Sequence, residues 1–148
     1  MASFTSAGST LGVSASAPAT FDDAGYDALT YTLVGEITDL GEFGKVYNRV
    51  DHLPLASRGI VKRKGSYDNG SMTIVCALDN DDAGQTIMQA AADSDSSHTF
   101  EVTLQNGDLY QFTGQVMSAN VNVGGTDNIT QVTYQLEIDR DINLQNAP

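Results

Sequence analysis

Tryptophan is absent from this 148-residue chain and cysteine occurs once. Without tryptophan, a sugar-stacking module loses its usual platform. The lone Cys76 excludes an internal disulfide. Its place in the apolar run "MTIVCAL" predicts a small buried hydrophobe rather than a reactive thiol. No uninterrupted apolar run is long enough to span a bilayer, and "MASFTSAGSTLGVSASAPATF" at the N-terminus has neither a basic n-region nor an apolar h-region. Neither membrane insertion nor Sec export is expected. Bases are scarce as well, seven against 19 acids for a net charge of −12. A surface that acidic repels phosphate over about a Debye length, which argues against generic binding to DNA or anionic lipid.

Catalytic and metal patterns are also missing. "DNDDAG" sets Asp79, Asp81 and Gly84 at positions one, three and six of a calcium loop, but Ala83 stands at the fifth position and Ala90 at the twelfth, where a bidentate glutamate belongs. The segment reads better as a helix cap. In "GEFGKV", Gly44-Lys45 is followed by Val46, and Asp39 stands where a phosphate loop needs glycine. His52 and His98 have no two-ligand spacing with each other or with cysteine, and His98 is expected to be an exposed ring opening a strand. Asp51-His52 lacks a nucleophile motif. No catalytic, cofactor-binding or metal-binding residue is expected.

What the chain does have is alternation. Length and composition suit one domain over residues 1–148, burying on the order of two thirds of its unfolded surface. Leu11, Val13, Ala15 and Ala17 alternate with small polar residues, as in a strand, with a disordered tail as the competing reading. "TFDDAGYDAL" reads as a short helical turn capped by Thr20 or Asp22. "TYTLVGEITDL" reads as a strand with Tyr31, Leu33 and Ile37 on its buried face and a bend at Gly35. Met72, Ile74, Cys76 and Leu78 repeat the period of two, as do Val132, Tyr134, Leu136 and Ile138.

"DNDDAGQTIMQAAADSDSS" is the one full helix predicted, capped within residues 79–81, with Ala83, Ile87, Ala90 and Ala91 sharing a face. "HTFEVTLQNGDLYQFTGQV" is a hairpin. A three-residue loop with Gly107 in the left-handed bulge position sets Val102 opposite Tyr110 and Phe100 opposite Phe112, keeping both apolar sets on one face. The apolar phase then moves from Tyr110, Phe112 and Val116 to Met117, Ala119, Val121 and Val123, which predicts a β-bulge or bend near 114–117. Six or so strands and one helix make a mainly β fold, an antiparallel sandwich or barrel with a flanking α-helix.

The scarce bases are not scattered. Residues 45–64, "KVYNRVDHLPLASRGIVKRK", hold Lys45, Arg49, Arg58, Lys62, Arg63 and Lys64 against Asp51 alone, a balance of +5 that leaves −17 for the rest. The stretch lies in a segment of about residues 42–70, rich in glycine, that reads as a long loop. Long loops in compact domains bind something or stay disordered. A solvated flexible loop is one reading, but Val50, Leu53, Leu55, Ile60 and Val61 need cover. A loop both apolar and basic on an acidic body is suited to dock onto a copy of that body, mobile over residues 42–64 in the free subunit and ordered on assembly.

The order of these features resembles the tail tube (major tail) proteins of long-tailed, lambda-like bacteriophages and of related gene transfer agents. It runs from a small-residue start through "ALTYTLVGEITDLGEFG", the loop with "VYNRVDHLPL", the helix "DDAGQTIMQAAA" and "FEVTLQNGDLYQFTGQVMSANVNVG" to "VTYQLEI", nearly the whole chain. The resemblance implies a structural virion protein made in the bacterial cytoplasm, not an enzyme. It implies homohexameric rings stacked into a hollow tube, with other tail proteins at its ends and DNA passing through without specific binding. Some relatives append an immunoglobulin-like domain, which a chain ending at Pro148 would lack. On this reading Lys45, Arg49, Leu53, Leu55, Arg58, Lys62, Arg63 and Lys64 act between subunits, and Glu36, Asp39, Glu137 and Asp139 are candidates for an acidic lumen or for the surface that meets those bases. The alternative is a small acidic β-sandwich that binds a carbohydrate or protein ligand.

Overall fold

The alternating segments pair into antiparallel strands throughout. The computed structural model describes residues 3–146; Pro148, on which the expectation of an undecorated C-terminus rests, lies outside them. In chain order the elements are β1 (Thr10–Ser14), α1 (Asp23–Asp27), β2 (Thr32–Leu33), β3 (Ile37–Asp39), β4 (Val46–His52), β5 (Val61–Asp68), β6 (Ser71–Ala77), α2 (Ala83–Ala92), β7 (His98–Thr103), β8 (Leu109–Asn122), β9 (Gln131–Ile138) and β10 (Asn143–Gln145). One sheet has the order β2-β1-β7-β8-β9-β6-β3, with β10 added alongside β8; β4 and β5 form a separate two-stranded sheet.

The predicted hairpin has the predicted register. Val102 faces Tyr110, Phe100 faces Phe112, and Gly107 turns the chain at φ 94°, a conformation costly for any residue with a Cβ. Phe100 and Phe112 stack at 5.7 Å between centroids and are fully buried, each contributing on the order of 2–3 kcal/mol by removing its ring from water. The phase slip is a bulge: Val116 pairs with Leu136 and Ser118 with Gln135, so Met117 is the extra residue. Leu11, Val13, Ile74, Cys76, Val132, Tyr134 and Leu136 complete the same buried face.

Helix α2 packs against β8, β1 and β2, covering that face, but it is shorter and rotated relative to the prediction. Its cap is Asp82, one residue beyond the expected 79–81, and its buried residues are Gly84, Gln85, Met88 and Ala91, while Ala83 and Ala90 are exposed. The rotation follows from Gly84. A Cβ there would collide with the Leu33 carbonyl and the Val34 backbone, so the helix rests its smallest residue directly on the strand. The fully buried Gln85 has no water to turn to and satisfies backbone instead. Its Oε1 accepts from the Asp79 N–H at 3.0 Å, and its Nε2 donates to the carbonyls of Gly35 and Ala77, each at 2.9 Å.

The strand predicted through Gly35 is two short strands. Leu33, at the end of β2, is 62% exposed, and between the strands Val34 is buried and Glu36 adopts φ 60°; the Asp82 carboxylate takes the Gly35 N–H at 3.0 Å while capping Gln85 at 2.9 Å. The break inverts the alternation, which is why Leu33 points away from the expected core.

The other face of the β7–β8 region is covered too, by α1 and the chain around it. Tyr26, Thr99 and Gln111 are fully buried there. Asp22 caps α1, accepting from the Gly25 N–H at 2.8 Å. Gln111 donates to Glu101 at 2.9 Å and accepts from Gln145 at 2.8 Å and Asn143 at 3.1 Å, tying β10 to the sheet. His98, expected to be exposed, is buried; its cross-strand partner is Gly114, and Nδ1 lies 3.2 Å from the Ser96 carbonyl.

Candidate functional site

The segment expected as a loop over about 42–70 is a ribbon. Strands β4 and β5 pair from Val46–Asp68 to His52–Val61, with an irregularity where Asn48 faces both Gly65 and Ser66. Every residue of β4 is exposed, and β5 is exposed except at Val61 and Gly65, which are half-buried. The pairing was not visible in the sequence because neither face of the ribbon is buried, so no period-two pattern of apolar residues was needed to form it.

Cross-strand register sorts the bases by face. Arg49 stands opposite Lys64 and Asp51 opposite Lys62, on the side that also carries the facing pair Tyr47 and Tyr67. Those two rings lie 5.4 Å apart, with the Lys64 ammonium 4.7 Å from the Tyr47 centroid and the Lys45 ammonium 4.4 Å from that of Tyr67. Arg49 Nε meets Asp51 at 3.0 Å. Arg63 is on the other side, across from Val50, with Val46 and Val61. Leu53, Leu55 and Arg58 lie in the connecting tip, where Leu55 is wholly exposed. The predicted inter-subunit residues thus share one protrusion but divide among two faces and a tip.

The tyrosine pair and the root of the ribbon were missed from the sequence. Asp141 latches the root, meeting Lys45 Nζ at 3.5 Å and accepting from the Tyr67 hydroxyl at 3.3 Å. Tyr67 falls just outside the basic stretch; its spacing from Tyr47 becomes informative only once the hairpin register is known.

The four acidic candidates are all exposed and are not brought together. Glu36 sits at the β2–β3 break, its carbonyl accepting from the Ala77 N–H at 2.8 Å, at the end of β6 next to the β8–β9 turn. Asp39 faces Val75 across β3 and β6 and accepts from the Gly41 N–H at 2.7 Å. Glu137 and Asp139 lie at the opposite end, where Glu137 faces Ser71 and the Asp139 N–H donates to the Thr113 carbonyl at 3.1 Å, close to the root of the ribbon.

Nothing at the ribbon is arranged for bond-making chemistry. Cys76 is wholly buried, and burial pushes its thiol up to about 11, which removes the thiolate a nucleophile needs. Among the described residues there is no group of three or more histidine, cysteine or carboxylate side chains placed to hold a metal ion, and no helix is long and apolar enough to cross a membrane. What the ribbon offers is cations, exposed aromatic rings and an uncovered apolar tip, which is the chemistry of a protein–protein contact.

No protein-family model and no curated protein matches the sequence. Solved structures do match the fold. A sheath/tube terminator of an extracellular contractile injection system superposes with a TM-score of 0.72 at 8% identity, covering 99% of each chain. The SPP1 tail tube gives 0.61 at 14% identity over 88% of this chain and 72% of that one. A chain from the tail of an empty gene transfer agent particle, a structure of sixfold symmetry, gives 0.61 at 13% identity over 78% and 87%. The chain has the fold of tail tube proteins, a curled antiparallel sheet with a helix on it.

Proposed function

We propose that the protein is a structural subunit of a phage or phage-like tail, assembling into hexameric rings that stack into a hollow tube through which DNA passes. The observation that carries this reading is the ribbon: fifteen strand residues projecting from the sheet, thirteen of them exposed, with an apolar tip that none of the described residues covers. Such surface is a liability in a monomer and a contact in an assembly. The fold shared with tail components and the sixfold symmetry of one of them support the ring and the tube.

Charge supports the passage of DNA. With −12 net charge and six of seven bases confined to residues 45–64, a tube wall built from the remaining surface repels phosphate and lets the polyanion slide without sticking. Glu36, Asp39, Glu137 and Asp139 are candidates for that wall or for the contacts between copies. The bases act between subunits, where sixfold repetition turns modest single contacts into a stable stack. Negative-stain electron microscopy of the purified protein at rising concentration tests this. Rings or tubes with a central channel are the expected outcome; particles of monomer size at every concentration, in low and moderate salt, would overturn it.

A further inference from the structure

Exposed apolar side chains are unevenly spread. Of the fifteen large hydrophobics that are exposed among the described residues, seven lie in the β4–β5 ribbon and four in the β8–β9 hairpin: Met117 at 59%, at the bulge, and Val121 at 53%, Val123 at 64% and Ile129 at 72%, at the end that carries the turn. Two hairpins therefore hold most of the exposed large apolar surface.

They leave the body from opposite ends of one ladder. Strands β6 and β9 pair from Ser71–Glu137 to Ala77–Gln131. The ribbon runs into Ser71 through Gly70, while the β8–β9 turn runs into Gln131. At a rise of about 3.4 Å per residue, these ends are on the order of 20 Å apart. Two apolar projections at opposite ends of a strand pair are both covered when unlike ends of two copies meet: a twofold axis would do so in a closed antiparallel pair, whereas a head-to-tail contact, the donor end of one copy on the acceptor end of the next, repeats without closing. Only the second builds the stack proposed above.

Charge fits the same pairing. Residues 117–136 contain no base and a single acid, Asp127. Asp79 and Asp81 adjoin this hairpin, because the Leu78 N–H donates to the Thr130 carbonyl at 2.9 Å. The acceptor end is thus apolar with carboxylates at its margin, and the ribbon tip is apolar with Arg58 and Lys62 at its margin. Glu137 and Asp139 lie at the ribbon's own end of the ladder and cannot receive it in a head-to-tail stack.

We propose that the ribbon tip around Leu55 docks on the Val121, Val123 and Ile129 end of the β8–β9 hairpin in the next copy of this chain. The proposal deepens the assembly reading above and rests on it. The test uses the full-length chain with Leu55→Cys, Val123→Cys or both, treated with a short bismaleimide under assembling conditions. Native Cys76 is fully buried and stays silent. The double variant should give a ladder of covalent trimers and larger species, because each copy carries both partners, while each single variant gives almost none.

Covalent dimers from Leu55→Cys alone would place ribbon against ribbon and overturn the proposal. Tubes seen by microscopy without a ladder would overturn this docking while leaving tube assembly standing. Monomers with neither tubes nor ladder would overturn both. As a second measurement, the exposed pair Val121→Lys and Val123→Lys should leave the melting temperature of the monomer in place and lower the sedimenting fraction about tenfold, since repeated contacts multiply a modest loss at each one; an unchanged sedimenting fraction counts against the docking site.

Discussion

The β7–β8 and β4–β5 hairpins are built alike and live in opposite environments. The first closes through a tight turn at Gly107 and is buried on both sides, by Phe100, Val102 and Phe112 on one face and by Thr99, Gln111 and Thr113 on the other. The second has strands of seven and eight residues and almost no cover on either side. Hydrogen-bonded pairing is therefore a poor guide to what a strand is for; the cover on its faces decides. A lone two-stranded ribbon is marginal in water, and this one relies on the Tyr47–Tyr67 pair, its two lysines and the Asp141 latch, interactions of roughly 0.2–1 kcal/mol each. The well-packed hairpin builds the core, and the uncovered one presents both its faces to solvent.

The difference is most exposed by truncation. Phe112→Ala in the buried hairpin should cost about 3–5 kcal/mol through lost transfer energy and the cavity left behind, enough to unfold much of the population. Val50→Ala, in the ribbon, should stay within about 0.5 kcal/mol of the parent. Urea denaturation of both variants checks this; comparable losses would mean that the ribbon is part of the cooperative core.

Reversing charge on the ribbon should separate folding from assembly. Lys62→Glu, Arg63→Glu and Lys64→Glu together should leave the urea midpoint of the monomer close to the parent's, because exposed charges contribute only about 0–1 kcal/mol each, yet block tube growth because the same small loss recurs at every copy. Tubes of normal length from this triple variant would assign the bases to DNA in the channel instead. Amide exchange over residues 42–64 should be fast in the monomer and slow in the tube; equal protection in both states would contradict a ribbon ordered by docking.

The same contrast explains what was legible in the sequence. The β7–β8 register, the bulge at Met117 and the faces of β6 and β9 could be read because one side is buried, and a one-residue slip would have exposed it. The ribbon could be read as basic and apolar but not as β, since nothing forces alternation on a strand without a buried side. The stretch through Gly35 misled because a break inverts the phase, placing Val34 inside and Leu33 outside. The helix was found, but its face was not: Gly84 and Gln85 carry little hydrophobic signal, and they are buried because of close backbone approach and hydrogen bonding. For the candidate site, composition identified the residues, and only the register could divide them among faces and ends.

Asp82 tests how that break is held. Its carboxylate joins the α2 cap to the Gly35 N–H, so Asp82→Ala should cost about 1–2 kcal/mol, at the upper end for an N-cap because a second donor also loses its partner. Thermal unfolding measures the loss. A change of a few tenths would mean that water replaces the carboxylate at both donors.

The smallest effect concerns the cover on the second face of the buried hairpin. Asp22 caps α1, which places Tyr26 there, and hydrogen bonds from the Gly25 N–H and then from the Thr20 hydroxyl hold its carboxyl below the ordinary value of 3.8. The folded chain therefore binds this proton less tightly than the unfolded chain. The stabilisation is complete above the unfolded value and is lost as pH falls through the lower, folded one. Asp22→Ala should melt below the parent at neutral pH, and the gap should hold until the solution reaches the ordinary carboxylate range, then close as acid protonates the cap in the parent as well. Melting curves of both proteins across that range check the sign. A gap that persisted in acid would trace the cap's contribution to packing of the Asp22 side chain rather than to its charge, and the cover on the β7–β8 hairpin would then be insensitive to protonation at this residue.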